Sequence, residues 1–103
     1  MNDDIPMRPP VGLEARRTLV ERTSSSAGEV WARWWRAELE RQGRAAAGGW
    51  PGTLSEARAR VLEAVLPDLK KHGIGELSFD ERELAAKTVY ATARRRWLSH
   101  RER

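Results

Sequence analysis

The chain has 103 residues, 33% of them charged and 40% hydrophobic, with a formal net charge of +4. That leaves room for one domain with one modest core, and none for a catalytic domain beside a regulatory one. There is no cysteine, so disulfides, thiolate catalysis and Cys-ligated metal centres are excluded.

The apolar side chains are mostly Ala, Leu, Val and Trp, with one Phe and one Tyr, a mixture that favours helix over sheet. Sixteen Arg against three Lys supply the positive charge, which is compatible with an acidic partner but too small to specify one. No apolar run approaches the roughly 18–20 residues of a transmembrane helix. The acidic opening Met1-Asn2-Asp3-Asp4 lacks an apolar signal core. A cytoplasmic protein without a membrane partner is expected.

Residues 1–12 hold Pro6, Pro9, Pro10 and Gly12, which block helix and sheet pairing alike and predict an extended arm. A single helical domain is expected over 13–100. Leu13 to Arg22 suits a short helix, and Thr23-Ser24-Ser25-Ser26 reads as a break after it. Ser26-Ala27-Gly28-Glu29 then fits a capping box, in which the Ser oxygen and the Glu carboxylate satisfy each other's backbone amides. The helix it would start carries Trp31, Trp34 and Trp35. With Val30 and Leu39 these fall within one half of a helical wheel, whereas a strand would turn Trp34 and Trp35 to opposite faces.

Gly48-Gly49-Trp50-Pro51-Gly52 must turn. Thr53-Leu54-Ser55-Glu56 is a second capping box, followed by Leu54, Ala57, Val61, Ala64, Val65 and Leu69 on one face. Pro67 predicts a kink or a break into a second short helix. Lys70-Lys71-His72 before Gly73 reads as a helix C-terminus. Ser78-Phe79-Asp80-Glu81 is the third capping box, opening a helix toward Leu98. Phe79, Ala86, Tyr90, Ala93 and Trp97 make one seam on it, and Leu84, Ala91 and Leu98 a second. The tail 101–103 should fray. A helix-turn-helix fails on the uninterrupted stretch Ala85 to Thr92, which contains no breaker. The fold expected is all-α, a small three- to four-helix bundle with an extended Pro-rich N-terminal arm. The Trp helix should pack on the last helix, with Trp31, Trp34 and Trp35 against Phe79, Tyr90 or Trp97.

Candidate sites are few. Glu38 lies on the apolar half of the Trp helix, where a salt bridge to Arg94, Arg95 or Arg96, or simple exposure at the end of the stripe, explains it better than acid–base catalysis does. His72 and His100 are the only imidazoles and have no spacing suited to a metal. No phosphate loop, nucleophile motif or carboxylate pair is present. The expectation is a protein that is not an enzyme and has no cofactor or metal. It would be a helical interaction module, an accessory subunit or a homo-oligomer, meeting another protein chain or itself through Trp31, Trp34, Trp35, Leu84, Ala91 and Leu98. The alternative is a nucleic-acid-binding protein contacting phosphates through Arg94, Arg95, Arg96, Arg101 and Arg103 with Lys70 and Lys71.

Overall fold

A computed structural model of the chain describes residues 12–43 and 49–101, without the side chains of His100 and Arg101. The arm up to Val11, the segment 44–48 and the last two residues lie outside the described residues, and with them the expectations of an extended arm and a frayed tail. The described residues form an all-α fold without strands: α1 (Leu13–Arg41), α2 (Leu54–Arg60), a π-helical turn (Val61–Val65), α3 (Leu66–Lys70) and α4 (Phe79–Arg101).

The first departure from expectation is α1. It runs unbroken through Thr23-Ser24-Ser25-Ser26, which is neither a break nor a capping box. Small side chains here serve close packing. Val20, Thr23, Ser24, Gly28, Trp31 and Ala32 are all buried in α1, at helical spacing that passes through the Ser run. A Cβ placed on Gly28 would lie 2.6 Å from the carbonyl oxygen of Val89 and 2.9 Å from Cβ of Thr92. The Ser25 and Thr92 hydroxyls lie 3.3 Å apart, within hydrogen-bond reach. Serine has poor intrinsic helix propensity, but the packing of two backbones at this distance outweighs a few tenths of a kcal/mol per residue.

α1 and α4 run parallel. Arg16 meets Glu81 near the start of both helices, Gly28 meets Thr92 in the middle, and Arg36 meets Trp97 toward the end. The segment from α2 to α3 returns between them, antiparallel to α1. Its N-terminal Gly52 lies against Trp31, and the loop beyond its end offers the Glu76 carbonyl to Arg16 at 2.7 Å. The core between the three rods is built from Val20, Trp31, Ala57, Val61, Val65, Leu69, Ala85, Ala86, Val89 and Ala93, closed at the bottom by Ile74 and Leu77 from the loop.

The middle rod departs from a plain helix for a reason written in its spacing. Ala57, Val61, Val65 and Leu69 are buried at a uniform interval of four residues, which drifts about 40° per step around an α-helix. The wider π turn takes up that drift, and Leu66 N–H reaches back five residues to the Val61 carbonyl. Pro67, which has no N–H, follows at the head of α3. The expected kink is therefore a π turn plus a short helix. Its shifted register exposes Ala64, which the sequence pattern places on the buried face. α3 ends as expected, with Gly73 at φ +88 and Ile74 N–H bonded to the Leu69 carbonyl at 3.1 Å.

Two of the three capping boxes are present. Thr53 and Glu56 cap α2 reciprocally at 3.1 and 2.9 Å, and Ser78 and Glu81 do the same at the start of α4, at 3.2 and 2.9 Å. Glu81 has a second task. Its carboxylate accepts from Arg16 Nε at 2.6 Å and Nη2 at 3.1 Å, so one side chain both caps α4 and ties it to α1. The Arg16 bond is the chief reason its pKa falls from 4.5 to about 2. A depressed carboxylate stabilises the fold above its unfolded pKa, and that contribution is lost as pH falls through the folded value. Both side chains remain about a quarter exposed, so the contribution is about 1–2 kcal/mol. The gap in unfolding free energy between wild type and Glu81→Gln, measured by urea titration at stepped pH, should be full above pH 4.5 and close toward pH 2. A pH-independent gap would remove the Arg16–Glu81 pair from the account.

Candidate interaction surfaces

The Trp stripe divides into three environments. Trp31 is core at 4% exposure, Trp35 is half-buried, and Trp34 is 52% exposed. The expected ring partners are corrected as well. Trp31 meets Trp50 edge-on with centroids 5.0 Å apart, Trp50 meets Trp97 at 5.6 Å, and Trp34 meets Trp35 at 5.1 Å. Phe79 is 76% exposed, because the parallel arrangement sets the start of α4 beside Arg16, far from the tryptophans. The hub of the aromatic cluster is Trp50, a residue of the turn before α2 that periodicity alone does not place in the core. Its signal was a lone Trp in a Gly- and Pro-rich connection, where Gly52 has no side chain to keep the indole away.

Arg36 lies over Trp97 with its guanidinium carbon 4.8 Å from the ring centroid. Glu38 pairs with Arg41 of its own helix and accepts from Gln42 Nε2 at 2.8 Å. The expected bridge from Glu38 to Arg94, Arg95 or Arg96 is thus replaced by a local one. Its side chain is 16% exposed, which suits an ion pair at the margin of the core better than a desolvated acid.

Along the second seam of α4, Leu84 borders a hollow with Arg17, Val20 and Glu81, Ala91 borders another with Glu21 and Ser25 of α1, and Ala91 and Leu98 border a third with Tyr90, Arg94 and Arg95. The basic run also divides. Arg96 faces a cleft of about 280 Å³ shared with Arg33, Arg36 and Glu40, on the other side from Arg94 and Arg95. Lys70 and Lys71 sit at the end of α3, at the opposite end of the molecule from Arg96. The side chains of Arg101 and Arg103 lie outside the described residues.

An apolar hollow lies between α1 and the middle rod. Val30, Trp31, Trp34, Ala27 and Ala64 line it, with Thr23, Ser26, Arg60 and Asp68 around them, and its volume is about 280 Å³. Val30 and Trp34 are each more than half exposed, at 55% and 52%. No helix among the described residues is long and apolar enough to cross a membrane. Comparison with family models, curated proteins and solved structures gives no significant match.

Proposed function

We propose that this chain, folded as a three-helix bundle, is a non-catalytic interaction module that docks a partner chain in the groove between α1 and the middle rod. The observation that carries the reading is the pair Val30 and Trp34. Two large apolar side chains one helical turn apart are held more than half exposed above the buried Trp31. Tryptophan at the edge of an apolar groove is the residue type that dominates interface energies, and contiguous apolar surface on a small domain marks contact sites. The residues supporting the module are therefore Val30 and Trp34 with Trp31 beneath. Leu84, Ala91 and Leu98 have lesser parts.

The test places a photo-crosslinking amino acid at Trp34 in one variant and at Arg96 in another, each expressed in its native cells. A discrete protein adduct from position 34, and none from 96, is the expected result. A nuclease-sensitive adduct from position 96, with binding that falls steeply as salt rises, would instead favour nucleic-acid phosphates held by Arg33, Arg36 and Arg96. Silence at both positions would end both readings.

A further inference from the structure

The groove is asymmetric along its length, and its two ends complement each other. At one end stand the bulky Val30, Trp31 and Trp34 with Arg60. At the other lie the small Thr23, Ser26 and Ala27 with Asp68. The polarity follows from the antiparallel course of the middle rod, which sets Arg60 nearer Trp34 and Asp68 nearer Thr23. Consider a two-fold axis crossing the groove at right angles at its midpoint. It keeps α1 facing α1 and the middle rod facing the middle rod, while exchanging the two ends. Trp34 of each copy then falls over the small-residue end of the other, Arg60 meets the partner's Asp68, and Ala64, midway between positions 60 and 68, meets itself. Both shape and charge close on themselves, as an isologous contact requires.

We infer that the partner in the groove is a second copy of this chain, docked about that two-fold axis. The inference rests on the interaction reading above and adds the identity of the occupant. Arg60 pairs with Glu63 and Asp68 with Lys71 within one chain. These are exposed local pairs of small worth, and an Arg fork can bridge a second carboxylate while keeping the first.

The experiment uses charge reversal and mixing, read as molar mass by light scattering on the full chain. Wild type is expected at twice 11.7 kDa. Arg60→Asp alone sets two carboxylates against each other at both contacts, and Asp68→Arg alone sets two guanidiniums. Each should weaken the dimer by at least about tenfold and run as a monomer. An equimolar mixture of the two variants places opposite charges at both contacts, and the dimer should return. Recovery on mixing also shows that both variant chains are folded. Because the chain has no cysteine, Ala64→Cys adds an independent readout. Two Cβ atoms near the axis can be joined by a disulfide, and oxidation should give a covalent dimer.

If wild type is monomeric at every concentration, if the single reversals remain dimeric, or if the mixture stays monomeric while wild type dimerises, this contact is wrong. A monomeric wild type that still gives a foreign adduct from position 34 would overturn the second copy and leave the interaction module standing. Silence at position 34 would overturn both.

Discussion

Gly28→Ala should destabilise the protein by about 1–3 kcal/mol, although it replaces glycine in a helix interior. The two effects have opposite signs. Intrinsic propensity favours the alanine by about 1 kcal/mol. Against it, the new methyl would sit 2.6 Å from the Val89 carbonyl oxygen, 2.9 Å from Thr92 Cβ and 3.2 Å from the Ala93 amide nitrogen. Two of these three atoms are backbone within α4 and the third is fixed to it, so none can rotate aside. Relief comes only by moving α4 away from α1, which loosens the burial of Val89 and Ala93. Gly28→Val should cost more than the alanine. Gly75→Ala, at a position with nothing within 4 Å, is the matched control and should stay within about 0.5 kcal/mol. Urea unfolding followed by circular dichroism decides the matter. A Gly28→Ala variant more stable than wild type would mean that the two helices do not approach this closely.

Trp97→Ala should remove about 3–5 kcal/mol, the usual cost of emptying a buried aromatic site. A domain of this size has about 5–15 kcal/mol in total, so the variant should be unfolded or nearly so at 37 °C. Trp97 is fully buried. It meets the edge of Trp50, which in turn meets Trp31, and it supports Arg36 from below. Removing it therefore also disturbs the packing that holds the linker residue Trp50 against α1. Trp34→Ala is the contrast. With half its surface already in water, its loss should cost the isolated chain about 1–2 kcal/mol, well below the cost at Trp97, and its larger effect should fall on association. Thermal melts of the two variants side by side separate a core tryptophan from an interface one. Equal losses would put Trp34 in the core and weaken the proposed function.

The sequence made the helix ends of the middle rod and of α4 legible, because caps are local chemistry. Thr53 with Glu56, Ser78 with Glu81, and Gly73 after two lysines each satisfy backbone groups within a few residues. Pro67 announced a disturbance, but its form depended on the four-residue spacing from Ala57 to Leu69, which becomes meaningful only once those residues are known to share a core. The Ser run in α1 is polar, which suggests a break by composition alone, yet the helix runs through it. Ser24 and Thr23 are buried, and what places them is the thinness of their side chains beside a neighbouring backbone. The candidate groove was half legible. Three tryptophans on one side of a wheel indicate an apolar face, but which of them the middle rod covers depends on tertiary packing. The return of that rod buries Trp31 and leaves Trp34 in view.

The parallel pairing of α1 and α4 also governs the order in which this chain can be made. The contacts that join them span 65 and 67 residues, most of the polypeptide, so closing them is an entropic step that local helix formation does not shorten. During synthesis at about 5–20 residues per second, the α1 residues of these contacts emerge some 3–13 s before their partners in α4. For that interval Arg16 and Ser25 lack their partners in α4, and the Gly28 notch stands open to any helix with a flat enough face. The helix that carries three of the five tryptophans thus waits for α4 until nearly the whole chain has emerged.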